Sequence, residues 1–167
     1  MELRLRPLEP DDEAEFRAAH AATAAARYEF GLYFGESSLW TAYLAYLDAL
    51  RRGEVAGYVR QDMLVAEVDG VIVGRTSLRY GLDEFLAHEG GHIGYVVVPQ
   101  HRQRGYATEI LRQSVAIAHQ EGVGRILVTC DDDNVASAAV IERCGGRRDA
   151  ELPLTPGPPP KRRYWFT

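Results

Sequence analysis

A chain of 167 residues with 46% apolar and 26% charged side chains has the composition of an ordinary soluble globular protein and can bury one substantial core without disulfide or metal staples. Its formal net charge of −5 argues against bulk attraction to nucleic acid or anionic lipid, so a local basic patch carries more information than it would in a basic protein. The two cysteines, Cys130 and Cys144, are not a Cys-x-x-Cys pair, residues 1–6 are not an apolar leader, and no run approaches the roughly 18 apolar residues of a membrane span. The expectation is one cytoplasmic domain over residues 1–167, with reduced thiols and no membrane or nucleic-acid partner.

Glu2 to Arg6 alternates polar and apolar residues, the pattern of a short strand. Pro10-Asp11-Asp12 is a helix start, and an Ala-rich helix is predicted to about Ala26. Tyr28 to Gly35 reads as an aromatic, glycine-punctuated loop. Ser37-Ser38 can cap a second helix, in which Leu39, Trp40, Tyr43, Leu44, Leu47 and Leu50 recur at helical spacing and which stops near Gly53. The period then changes to two. Asp62 to Val68 and Val71 to Tyr80 read as strands joined by an Asp69-Gly70 turn.

Leu82 to Gly91 is a mixed acidic loop, and His92 to Val98 the next strand. Gly105 to Gln120 is a helix that ends at Glu121-Gly122, and Arg125 to Cys130 is a short buried strand. A further helix runs from Asn134 to Cys144. Two strands, Arg147 to Leu152 and Arg162 to Phe166, flank a Pro-rich loop. The order is β-α-α-β-β-β-α-β-α-β-β, with no internal repeat.

The strand ending in Val98-Pro99 leads into a helix through the basic turn Gln100-His101-Arg102-Gln103-Arg104-Gly105. A helix N-terminus exposes N–H groups that have no intrahelical partner, and the macrodipole adds about half a positive charge there. A glycine lets a ligand approach the backbone, and arginine binds phosphate through two parallel hydrogen bonds. These features suit a phosphate cradle, and the length of the turn suits a pyrophosphate. The bland alternative is a solvated basic loop. The P-loop pattern is absent, and Gly122-Val123-Gly124 supplies two glycines of a dinucleotide fingerprint but precedes a strand and lacks the third.

Arg102-Gln103-Arg104-Gly105-Tyr106-Ala107 resembles the Gln/Arg-x-x-Gly-x-Gly/Ala signature of the GNAT (Gcn5-related N-acetyltransferase) superfamily. Asn134-Val135-Ala136-Ser137, 27 residues after Ala107, resembles the start of the next helix in such proteins, and the element order resembles theirs. The resemblance covers most of the chain, strongly from about Gly91 to Gly146 and weakly before Tyr58. It implies an α/β (α+β) fold with a mixed, mostly antiparallel central sheet of about six to seven strands and about four helices. It also implies acetyl-CoA as co-substrate, its pyrophosphate held by the backbone N–H groups of Arg102, Gln103, Arg104, Gly105, Tyr106 and Ala107. The pantetheine arm would pair with Tyr95 to Val98, one N–H of Val96 or Val97 would polarise the thioester carbonyl, and Asn134 and Ser137 would contact the cofactor from the facing side. Asn134 also suits a plain helix N-cap. Homodimers are common among such proteins, and the residues leave that open.

The implied reaction is acetyl transfer to an amine, which must first lose a proton. At pH 7 an alkylammonium lies about 3.4 units below its ordinary pKa, a cost of about 4.6 kcal/mol. Base candidates are Glu84, His88, Glu89 and His92, on the loop and strand start that lead to the cofactor strand. His92 and Tyr95 are three apart on a strand and face opposite sides, so at most one faces the acceptor. Many of these proteins carry a Tyr seven residues after the Asn to protonate the leaving thiolate. Ile141 stands there, and Gly146 stands where a familiar aromatic follows the closing glycine. Tyr95, Ser137 and Cys144 are the substitutes on offer. Asp131-Asp132-Asp133 could draw in a cation or simply suit a helix start.

His88-Glu89-Gly90-Gly91-His92 also fits His-Glu-x-x-His, but that zinc pattern needs both histidines on one face of a helix, where two glycines cost about 2 kcal/mol. No metal is therefore expected. The leading expectation is an acetyl-CoA-dependent N-acetyltransferase acting on a small primary amine. A non-catalytic acyl-CoA-binding sensor and a protein lysine or N-terminal acetyltransferase are the alternatives. The aromatic segment Tyr28 to Trp40 shapes either the acceptor pocket or the core.

Overall fold

The computed structural model of the chain describes residues 2–26 and 28–167. Strand β1 (Arg4–Arg6) leads through a 3-10 turn into helix α1 (Glu13–Ala22), and α2 (Trp40–Arg52) follows. Strands β2 (Gln61–Val68) and β3 (Val71–Arg79) form a hairpin in which Asp69 and Gly70 take φ of 50° and 79°, the double positive-φ turn that matches strand twist. Then come β4 (Ile93–Val97), α3 (Tyr106–Gln120), β5 (Ile126–Asp131) and α4 (Val135–Arg143). The last strands are β6 (Arg147–Arg148), β7 (Leu154–Thr155) and β8 (Lys161–Phe166).

The strands form two antiparallel sheets, ordered β1-β2-β3-β4 and β5-β8-β6, with β7 also on β8. The mixed, largely antiparallel class with four main helices agrees with the sequence. Among the described residues the strands number eight because the Pro-rich tail folds back as β7, and β6 keeps only the first two residues of its expected span. The sheet is divided where β4 meets β5.

Alternation along β2 explains the layers. Met63 and Val65 point to one face, where they pack with Phe16, Phe30, Phe34, Trp40 and Tyr43 of the α1–α2 region. Leu64 points to the other face, into a cluster with Leu111 of α3, Ala138 and Ile141 of α4, and Tyr164 of β8. The helices thus cover opposite faces in pairs. Helix α1 is docked by Glu15, whose Oε1 accepts the Ile72 N–H at 2.7 Å.

Three local expectations change. Helix α1 ends at Ala22 because Thr23 Oγ1 donates to the carbonyls of Ala19 (3.2 Å) and His20 (3.0 Å) and accepts the Phe30 N–H (3.2 Å), which turns the chain into the loop. Ser38 does not cap α2. Its Oγ accepts the Gly35 N–H at 2.9 Å, and Leu39 takes the N-cap position. The acidic loop contains one π-helical turn, Leu86–Gly90, started by Asp83 Oδ1 accepting the Leu86 N–H at 2.8 Å.

The two sheets are fastened by His92. Its backbone N–H donates to the Leu127 carbonyl (2.7 Å) and its Nδ1 accepts the Leu127 N–H (2.9 Å). Gly91 makes room for this: its φ is +63°, and a Cβ there would lie 2.6 Å from the Leu127 oxygen. Past this point no backbone hydrogen bond among the described residues joins β4 to β5, so the strands part into a V.

Candidate functional site

The V opens toward the N-terminus of α3. Gln103 and Gly105 adopt left-handed φ of 61° and 82°, and the first bond into the helix runs from Glu109 N–H to the Gly105 carbonyl at 3.2 Å. From Gln103 to Thr108 no backbone N–H has a partner among the described residues. A Cβ on Gly105 would meet nothing within 4 Å, so the glycine serves the left-handed turn and leaves its outer side open. A run of convergent, unpaired amides at a helix start is an anion site by its own dipoles.

A groove of about 830 Å³ runs from this cradle between β4 on one side and β5 and α4 on the other. Arg102, Gln103, Gly105, Tyr106 and Ala107 line its cradle end. Arg104 is exposed and outside it. Val98 is buried, with its N–H given to the Val73 carbonyl at 3.0 Å. The His92 carbonyl likewise bonds to β3, through the Arg79 N–H at 2.8 Å. By the two-residue alternation of an antiparallel ladder, Gly94 and Val96 also turn their amides to β3, while Tyr95 and Val97 turn theirs outward. Arg102 Nε marks the outward side by donating to the Val97 carbonyl at 3.2 Å. Of the two expected thioester donors, Val97 therefore presents its N–H to the groove, and Val96 contributes its half-buried side chain to the wall.

Two candidates far apart in sequence meet here. The Tyr95 hydroxyl lies 2.8 Å from Ser137 Oγ, and both residues line the groove. Burial pushes the Tyr95 phenol well above the ordinary tyrosine range, opposed in part by the Ser137 hydrogen bond. Asn134 lines the groove and also caps α4, its Oδ1 accepting the Ser137 N–H at 3.0 Å. Ala136, Val140 and Arg143 recur along the groove face of α4. Ala138 and Ile141 occupy its buried face, and Ile141 is wholly inside the core.

Tyr28 and Asp131, the last residue of β5, also line the groove. The Tyr28 hydroxyl donates to Asp131 Oδ1 at 2.8 Å, and Lys161 Nζ donates to both. The loop bearing Tyr28 is anchored from below by Arg75, which is 3% exposed. Its guanidinium donates to the carbonyls of Glu29 (2.6 Å), Phe30 (2.9 Å) and Gly94 (3.4 Å). Burial, then repulsion from Arg79, lowers its pKa to about 10, which leaves it charged at neutral pH.

Glu84 and His92 lie elsewhere. Glu84 is exposed beside the π-helical turn, its carbonyl 2.7 Å from His88 Nδ1, and does not line the groove. His92 is buried in the clasp. Its Nδ1 lone pair is occupied by the Leu127 N–H, and burial, then Arg79, holds its pKa below the ordinary histidine range. The Cys130 thiol is pushed up to about 11 by burial, and Cys144 is raised for the same reason, which makes both poor acids. Sequence reasoning passed over His101, Thr108 and Arg143 as groove residues. Thr108 was readable as part of the first helical turn, and Arg143 from its helical spacing to Ala136 and Val140. His101 was readable as part of the basic turn that precedes the helix.

The acetyltransferase (GNAT) domain family matches residues 2–147. No curated protein matches the chain. Among solved structures, RimJ of Mycobacterium smegmatis in complex with CoA-disulfide is similar with a TM-score of 0.73 and 20% identity, over 99% of this chain and 81% of that one. RimL, a ribosomal L7/L12 alpha-N-protein acetyltransferase in complex with coenzyme A, gives 0.71 and 15% over 98% and 93%. The microcin C7 self-immunity acetyltransferase MccE, in complex with acetyl-CoA and AMP, gives 0.69 and 16% over 99% and 92%. At these identities the three likenesses show a shared fold.

Proposed function

The chain belongs to the acetyltransferase (GNAT) family, and on that premise we propose that it moves an acetyl group from acetyl-CoA directly to a primary amine of a small molecule. The observation that carries this reading is the run of unpaired N–H groups from Gln103 to Thr108 at the mouth of a groove edged by the outward amide of Val97. The cradle fits a pyrophosphate, with Arg102 and Arg143 adding charge at the groove. The β4 edge fits an extended arm that can pair with it. RimJ and RimL hold coenzyme A forms and MccE holds acetyl-CoA, which supports the same ligand here.

In this reading the Val97 N–H donates to the thioester oxygen as the amine attacks, an oxyanion contact worth about 3–4 kcal/mol in a dry site. The C–S bond then breaks, and Tyr95 faces the leaving sulfur. Its raised pKa keeps the phenol protonated, so it stabilises the thiolate by donating a hydrogen bond more than by complete transfer. Ser137 orients that hydroxyl. Neither Glu84 nor His92 lines the groove, so the acceptor ammonium gives its first proton to water before attack, and the second N–H proton, released as the amide forms, goes to the departing thiolate.

Titration calorimetry with acetyl-CoA, followed by thiol release with a panel of amines, tests the proposal. Absence of binding at high micromolar acetyl-CoA sinks it. Binding with no thiol release from any amine would mark a sensor instead. A protein α-amino group is the rival acceptor, favoured by the likeness to RimL, and peptides with free N-termini belong in the panel.

A further inference from the structure

Of the nineteen Lys and Arg residues, eighteen are arginines, and Lys161 is the single lysine. The next two residues of β8 are arginines paired with carboxylates, Arg162 with Asp132 (2.7 Å) and Arg163 with Asp149 (3.3 Å), and Arg163 also stands 5.9 Å from the Trp165 ring. The cation of Lys161 is the one of the three at the groove residues Tyr28 and Asp131. Its ammonium donates to Asp131 Oδ1 and to the Tyr28 hydroxyl (2.7 Å) and stands 5.3 Å from the centroid of the Tyr28 ring. A carboxylate, a hydroxyl acceptor and an aromatic ring around one compact cation are the elements of primary-ammonium recognition.

We infer that Tyr28 and Asp131 form a seat for a primary ammonium, filled in cis by Lys161, and that the acceptor carries a second, non-reacting ammonium which takes this seat. The inference rests on the amine-transfer reading above for what the seat serves, though not for its existence. Tyr28 and Asp131 both line the groove; Asp131 is 3% exposed and Tyr28 46%, so an incoming ligand reaches the buried carboxylate past the Tyr28 ring. Lys161 stands at the first residue of β8 on a flexible four-carbon stem and can yield its place by rotating outward.

The seat suits the amine that does not react. Burial opposes the Lys161 charge, but the hydrogen bonds it donates to Asp131 and Tyr28 outweigh it and hold the ammonium above the ordinary lysine range. A cation held this way stays protonated and cannot attack a thioester. The acceptor class is therefore an alkyl diamine or longer polyamine, anchored by one end and acetylated at the other.

The test uses the full chain, with 1,4-diaminobutane and tetramethylammonium as probes in calorimetry without acetyl-CoA. Lys161→Met should bind the diamine about tenfold or more tightly than wild type, and adding Asp131→Asn should remove the gain. Tetramethylammonium, which has no N–H donor, should gain nothing. Tyr28→Phe, at an exposed side chain, is the variant that disturbs the fold least, and it should weaken diamine binding in the Lys161→Met background. Equal diamine affinity in wild type and Lys161→Met, or affinity indifferent to both Asp131→Asn and Tyr28→Phe, overturns the seat. Turnover separates the two readings. Asp131-dependent diamine binding without thiol release removes the transfer and leaves the seat. Thiol release with equal preference for 1-aminobutane and 1,4-diaminobutane keeps the transfer and removes the seat.

Discussion

Ile141 fills the space that a side chain at Gly146 would need. A Cβ built on Gly146 falls 2.6 Å from Ile141 Cγ2, 3.0 Å from the Ile141 carbonyl oxygen and 3.0 Å from Phe166 Cζ. These are the two positions at which the sequence departs from the pattern it resembles, so the departures are one packing event. Gly146→Ala should lower stability by about 1–3 kcal/mol through overpacking, and that loss should be smaller in an Ile141→Ala background, which lacks the Cγ2 that the new Cβ meets. Urea unfolding of the four members of this cycle measures the coupling. Additive losses would show that the two residues do not compete for space.

Gly105 and Gly122 separate backbone strain from ligand binding. Both have left-handed φ, 82° and 89°, and neither would bring a Cβ within 4 Å of another group. Alanine at either should cost about 1–2 kcal/mol of stability. Only Gly105→Ala should also weaken acetyl-CoA, by about tenfold or more, because the cradle amides must rotate to relieve the strain. Calorimetry on the two variants side by side reads the difference.

Tyr95→Phe removes the hydroxyl that faces Ser137 and leaves the ring in the core. Turnover should fall about ten- to a hundredfold, the worth of a hydrogen bond to a charged leaving group, with acetyl-CoA affinity changed little. Ser137→Ala should cost less, since it only orients that hydroxyl. A Tyr95→Phe enzyme as fast as wild type would return the role to another group.

The His92 clasp makes stability depend on pH with a definite sign. Burial, and then the Arg79 charge, depress the His92 pKa, so below the ordinary value of 6.5 the unfolded chain binds the proton more readily than the folded one. This contribution is fully present above pH 6.5 and is lost as pH falls from there through the depressed value. Protonated Nδ1 would also face the Leu127 N–H donor to donor. Urea midpoints at pH 7.5 and 5.0 should therefore fall further for wild type than for His92→Asn. Parallel pH dependence in both chains would remove His92 as the cause.

The helices and the long strands were legible because hydrophobic period is local: Leu47 and Leu50, or Met63 and Val65, declare their faces within a few residues. The cradle was legible for the same reason, since Gly105 and the apolar strand before it stand together. The meeting of Tyr28, Asp131 and Lys161 was not. Tyr28 and Asp131 are 103 residues apart, and Lys161 is 30 beyond Asp131, so no spacing announces their meeting. His92 shows the converse. Its place at a strand start was visible, but its occupation by a main-chain donor 35 residues away was not, and a base candidate became a structural clasp.

Because β4 and β5 are joined at one end only, no strand ladder pairs them along the V among the described residues. Bare strand margins of this kind are templates for chain-to-chain association. Preparations kept supplied with a ligand that lies in the groove should thus stay monodisperse at concentrations where stripped material turns cloudy.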